Sequence, residues 1–483
     1  MKYFLFSPAL LMGLSAFAQV QVVQGNNSSQ FSVSKQAEFS SFTTDKANYF
    51  VLKRTEHFEK INTLIVADKS GSVVTNKEIR VDMGSFNNQS GVKDLLVINS
   101  TPVVFVENRD KGAGKNVLTA GTIDGNGSIN TALITIGSMD FVKMSNAGEW
   151  YAALTPDQKH VAVIGKSPYE KGSPAQFSYF MLDEKLQITS KGIFTFAGND
   201  KNIYVTNFLA SDKGDLYIIA DDFDKSYKYP TLYKYTIGGT GVIVPVMITD
   251  PKLKNLNYIA RLSPQGDLVF AGYIQKKSTF SAGDPAAIGT WMFNSSKTNE
   301  VKTFNFDKPI TNATARNLIY NGDIWFLVGE QYKADKVEMS ASGPAAANFD
   351  ETYNYTHGDI IVTGFTADGG SKKFDLSLDR QWTAKDFDQD LTVASGTINN
   401  KLVVVFNDQY GKYIDDRYHK FLKLPVAVLI SNAGVADSPV IFANELDVKV
   451  SSYTLYPQFF NNDSGHLMVL SGNSQSIKTV TFQ

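Results

Sequence analysis

The sequence predicts an all-β fold: one β-propeller of eight four-stranded antiparallel blades closed by an N-terminal strand, with seven blades as the alternative. Three observations carry this. First, one pattern recurs along the chain: an apolar strand, a polar turn often containing Gly-Asp, then a short run that is apolar throughout. That second run begins at Tyr49, Val103, Val161, Leu216, Leu268, Ile324, Leu402 and Leu467, giving spacings of 54, 58, 55, 52, 56, 78 and 65 residues. A period of this size, with several strands per copy, marks a propeller or similar array. Second, the runs Leu216-YIIA, Ile324-WFLV and Leu402-VVVF do not alternate. A half-exposed strand would alternate, so both faces must be covered, as between neighbouring blades. Third, Tyr 22 and Phe 33 are high counts, and strands favour aromatic residues.

Each element follows in chain order. Lys2, the apolar stretch Tyr3 to Phe17 and the small-residue site Ala16-Phe17-Ala18 have the pattern of a cleaved secretory signal peptide over residues 1–18. The stretch is shorter than the roughly 20 residues that span a bilayer and contains Pro8, so no membrane anchor is expected. A single propeller domain then occupies residues 19–483, exported to the periplasm or the extracellular space. After its two strong strands each copy continues with two weaker ones, such as Thr231-LYKYT with Val242-IVPVMI, and Asp359-IIVTGF with Lys372-KFDLSL. Turns such as Asp68-KSGS, Asp124-GNGS and Ala367-DGG supply the Gly, Asn and Asp of hairpin loops. The last copy lacks an outer strand after Ser476-IKTVTFQ. Part of Val20–Lys35 is expected to pair with it antiparallel and remove the exposed edge.

The units Gly214-DLYIIAD and Gly266-DLVFAGY, and Gly329-EQY followed by a long insert and His357-GDIIVTGF, resemble repeats of secreted Gram-negative bacterial β-propeller proteins of uncharacterised function. The resemblance covers the mature chain at the level of repeats. It implies the fold and a bacterial envelope setting, and it brings no catalytic motif.

Composition narrows the function classes. Lys+Arg 46 against Asp+Glu 48 leaves no basic excess for nucleic acid. With Cys 0 there are no disulfides, no thiolate metal sites and no cysteine nucleophile. The histidines at 57, 160, 357, 419 and 466 form no H-x-H or H-E-x-x-H spacing. G-x-S-x-G and P-loop patterns are missing, and Gly112-AGK and Gly238-GTG lack the strand–turn–helix context of phosphate binding. Asp124-GNGSIN lacks the sixth-position glycine and the closing Glu of a calcium loop, so it reads as an Asx-stabilised turn. No cofactor and no metal are expected, and the chain is expected to be monomeric.

The remaining signal is topological. The segments between second and third strands are long: Lys166–Gln176, Asp221–Pro230, Gln275–Gly289, Glu330–Gly358 and Asn407–Lys423. They are rich in tyrosine, and long loops on one face of a rigid scaffold are where binding sites gather. The expected binding residues are Asp221, Asp222, Tyr227, Tyr229, Glu330, Tyr332, Tyr410, Arg417 and His419. The function expected is non-catalytic binding or scaffolding of a glycan, a peptide or an envelope protein. The alternative is a carbohydrate-active hydrolase or lyase, or a lactonase, on the same face, which for a glycosidase needs two carboxylates about 5–10 Å apart.

Overall fold

The structure is a computed structural model. It describes residues 22–24, 37–45, 48–55, 62–68, 72–79, 88–124, 126–129, 132–197, 203–224, 227–239, 241–243, 246–247, 253–276, 285–295, 301–336, 353–380, 382–385, 393–413, 423–441, 453–454, 460–461, 466–471 and 476–482. The expected signal peptide lies outside these residues.

The described strands form seven four-stranded antiparallel blades, the count given above as the alternative, plus an eighth sheet made from the two ends of the chain; Val242–Ile243 adds to blade three as a parallel fifth strand, and Val246–Met247 completes blade four. The first strands of successive blades pack on one another: Ala37–Thr44 on Asn88–Ile98, that on Glu149–Leu154, and that on Tyr204–Ala210. The series continues from Leu253–Leu262 to Ala313–Tyr320, then Val393–Ile398, then the terminal sheet. There, Val22–Gln24 pairs antiparallel with Ser476–Phe482, in the register Val22↔Phe482, Val23↔Thr481 and Gln24↔Val480. The closing strand thus comes from inside the expected segment.

The second strands are the core. Leu216 to Ala220, Ile324 to Val328 and Leu402 to Phe406 are buried at every position. Even-numbered residues of blade six (Ile324, Phe326, Val328) and of blade seven (Leu402, Val404, Phe406) fill one inter-blade cluster. Odd-numbered Trp325 and Leu327 face blade five, among Ala271 and Tyr273. This two-sided packing is why these runs do not alternate.

The Gly-Asp turns between first and second strands share one local design. The Ser211 hydroxyl accepts the Asp215 N–H at 3.1 Å, and the Ser263 hydroxyl accepts the Asp267 N–H at 3.1 Å. Gly214 (φ +82°) and Gly266 (φ +84°) hold the left-handed position that closes each turn. At the Asp124 turn, the carboxylate accepts the N–H groups of Asn126 (2.9 Å) and Ser128 (2.7 Å), as an Asx-stabilised turn does.

Two long segments expected as loops are partly strand. Asp215–Asp224 and Tyr227–Thr236 form a hairpin whose ladder runs on through Asp221↔Pro230, Asp222↔Tyr229 and Asp224↔Tyr227. In blade six, Ile324–Lys336 and Tyr353–Thr366 stay paired out to Lys336↔Tyr353, and Trp382–Lys385 adds to this extension with Trp382 opposite His357. Tyrosine and threonine suit strand positions, and the backbone groups satisfy one another by extending the ladder.

Candidate functional site

The extension of blade six rises from the face where second strands end. First and second strands in five blades pair through a bulge that leaves one first-strand residue without a partner: Ser40, Lys93, Thr206, Leu256 and Arg316. A bulge re-aims the extra side chain. In three of them the next residue, Asp94, Asn207 or Asn317, accepts the following backbone N–H on its own side chain, which fixes the kink.

The blade-six bulge turns Arg316 onto Glu330. Glu330 is fully buried and accepts from Arg316 Nε and from Arg380 Nη2, with His357 Nδ1 3.2 Å from Oε2. Arg380 and His357 are buried too, and Arg380 Nε donates to the Gly358 carbonyl at 2.8 Å. Burial pushes the Glu330 carboxyl up, but the His357 hydrogen bond and the Arg316 and Arg380 charges outweigh it. They hold Glu330 well below the usual carboxylate range, ionised at neutral pH. On this anchor sits an aromatic layer. The Arg316 guanidinium lies 4.9 Å from the Tyr332 ring centre, Tyr332 stacks on Tyr355 (6.1 Å, 15° between planes), and His357 lies 5.2 Å from Tyr332. Arg316, Tyr332 and Tyr355 are half-buried, so each keeps a surface toward solvent.

A second buried carboxylate stands at the same inter-blade seam. Asp408 lies two residues past Phe406, fully buried, and accepts from Lys412 Nζ and the Tyr413 hydroxyl, both at 2.8 Å. Burial and the Asp408 charge both push the Tyr413 hydroxyl up, so it stays a donor. Lys412 also reaches the Asp379 carbonyl (2.7 Å) and carboxylate (3.3 Å), next to Arg380. The apolar seam between blades six and seven thus ends in an ionic layer running from Glu330 through Arg380 and Asp379 to Lys412 and Asp408. Removing one partner from such a layer costs more than the intact pair contributes, because a buried charge is stranded.

Of the expected binding residues, the structure brings Glu330 and Tyr332 together. Asp221, Asp222, Tyr227 and Tyr229 lie on the ladder of the blade-four hairpin, with Asp222 opposite Tyr229, on strands and not in a loop. Glu330 and Tyr332 are likewise strand residues, and Tyr410 opens the one-turn helix Tyr410–Lys412. Arg417 and His419 lie outside the described residues. Sequence reasoning missed Arg316, His357, Tyr355, Arg380, Asp379, Lys412 and Tyr413. The signal for Arg316 was available: Lys93-Asp94, Thr206-Asn207, Leu256-Asn257 and Arg316-Asn317 recur at one place in the repeat, each before an apolar run. Arg380 gave none, because it lies in the connection to the next blade.

With four-stranded blades around a ring and a seam joining the chain ends, the protein is a β-propeller. No protein-family model and no curated protein matches the sequence. Among solved structures it is similar to the β-propeller domain of the Trilobed protease from Pyrococcus furiosus, at 7% identity over 85% of this chain and 99% of that one, with a TM-score of 0.39. It is also similar to the WD40 domain of SCAP from fission yeast, at 9% identity over 96% of this chain and 94% of that one (TM-score 0.38). A post-proline cleaving enzyme from Rickettsia typhi shows 10% identity over 90% of this chain and 58% of that one (TM-score 0.42). Among the described residues, no helix is long and apolar enough to cross a membrane.

Proposed function

We propose that this protein is an exported, non-catalytic binding propeller that recognises a glycan, a peptide or an envelope protein through the face where its second strands end. The observation that carries this reading is the Arg316–Tyr332–Tyr355 layer, seated on the buried Glu330–Arg380–His357 anchor. Aromatic faces beside a guanidinium stack on planar or apolar partner groups while the cation takes an acceptor. The strand ladder and the ionic layer hold the side chains in place before a partner arrives, which lowers the entropic cost of binding. Glu330 serves here as an anchor, because its charge is already matched by its own partners. The hydrolase, lyase or lactonase alternative assigns a carboxylate of this face to chemistry instead.

The reading includes cleavage after Ala18, and the mass of the exported chain should then correspond to a start at Gln19. The test of function is a glycan array and an envelope-fraction pull-down with the mature chain, repeated with Tyr332→Ala and Tyr355→Ala. Loss of one contact residue of this kind should cost about 2 kcal/mol of binding or more, with folding retained. Undiminished binding by both variants rejects the site. Turnover of a captured glycan would favour the hydrolase alternative.

A further inference from the structure

We propose a second ligand site on the same face, in the cleft between blades two and three, shaped for a sugar acid. The cleft holds about 120 Å³ and is lined by Arg109, Ser145, Glu149, Lys166, Ser167 and Tyr169, among others. Its frame is built before any ligand arrives. The Asn146 side chain clamps the Tyr169 backbone in both directions, donating to the carbonyl at 2.9 Å and accepting the N–H at 2.7 Å. Behind it, buried Asn116 donates to the Ala147 carbonyl (3.0 Å) and to Glu107 (2.8 Å), and accepts from Trp150 Nε1 (3.1 Å). Gly148 sits at φ +78°, and a Cβ there would lie 2.7 Å from the Lys166 carbonyl oxygen. This close approach sets the floor of the cleft.

The chemistry inside is divided. Arg109 donates its Nε to Glu107 at 3.0 Å, and its two terminal nitrogens have no partner among the described residues. A guanidinium held by Nε presents its remaining N–H groups as a fork, which matches a carboxylate. Lys166 adds a second cation to the lining. Glu149 takes the Tyr151 hydroxyl on Oε2, leaving Oε1 as an acceptor for donors. Ser145 and Ser167 offer hydroxyls that make no side-chain bond among the described residues, and Tyr169 is 38% exposed beside them. A ligand that complements this lining carries a carboxylate for the fork and hydroxyl donors for Glu149. A hexuronic acid has both. This site uses none of the blade-six residues.

The test is titration calorimetry of the full mature chain with sodium glucuronate, glucose and alanine. Glucuronate should bind at least about tenfold tighter than glucose, since only it engages the fork. Arg109→Gln should abolish that preference, and Arg109→Lys should keep only part of it, because the charge remains and the fork is lost. Glu149→Gln should reduce hydroxyl recognition of both sugars alike, and Val435→Ser, at an exposed turn of blade seven outside both sites, should change nothing. If Arg109→Gln does not fold, Ser145→Tyr, which fills the cleft from an exposed position, should block glucuronate. Equal binding of glucose and glucuronate, wild-type binding by Arg109→Gln or by a folded Ser145→Tyr, or tighter binding of alanine would overturn the proposal.

Discussion

Replacing Glu330 by Gln probes the anchor directly. The carboxylate is fully buried and faces Arg316, Arg380 and His357. The Arg316 side chain is 22% exposed, so on losing its partner it can turn toward water at modest cost. Arg380 cannot, because its side chain is fully buried. Stranding a buried charge costs about 3–5 kcal/mol. With one of the two guanidiniums relieved by solvent, and the amide oxygen still accepting one bond, the expected loss is near the lower end, about 3 kcal/mol. Urea unfolding at neutral pH measures it from the shift in midpoint at constant slope. Adding Arg380→Met should restore part of the stability, since neutralising both members of a buried pair is far cheaper than removing one. A coupling energy above about 1 kcal/mol in that cycle supports the anchor. A loss below about 1 kcal/mol for Glu330→Gln alone would refute the reasoning, because the charge would then not be held in a dry site.

Further outcomes follow from the same geometry. Folding lowers the Glu330 carboxyl below its usual range, so the unfolded chain binds more protons in acid. Its stabilisation should be full above about pH 4.3 and decline as pH falls further, and Glu330→Gln should flatten that part of the stability–pH curve. A chain starting at Glu38 lacks Val22–Gln24 and leaves the edge of Ser476–Phe482 unpaired, so its urea midpoint should drop; an unchanged midpoint would reject closure by this strand. Because the blade-six ladder runs to Lys336↔Tyr353, replacing residues 337–352 with Asn-Gly should close a hairpin and keep stability within about 0.5 kcal/mol. A large loss of folded protein would show that those residues are packed. Gly148→Ala should cost about 1–3 kcal/mol, from the left-handed φ and the Lys166 carbonyl contact.

The fold was legible because its signals are local and repeated. A run such as Ile324 to Val328 states its two-sided burial in five letters, and Ser-x-x-Gly-Asp states its turn. The closing strand was readable by elimination, since Ser476–Phe482 needed a partner. The site was less legible. Glu330 and Tyr332 were singled out as candidates because they follow an apolar run on the long-loop face. Their partners come from a first-strand bulge (Arg316), the start of a third strand (His357) and an inter-blade connection (Arg380), at separations of 14, 27 and 50 residues. No spacing rule joins positions brought together by ring geometry. Tyr227 and Tyr229 were misread as loop residues because a hairpin that overshoots its blade looks, in sequence, like a polar connection.

The most direct test of the account is the hydrogen-exchange footprint of the protein with its captured partner bound. The account predicts new protection in residues 329–336 and 353–359, around Tyr332 and Tyr355. Protection confined to the opposite face, at the turns 155–160, 211–215 and 263–267, with none along the blade-six extension, would contradict it.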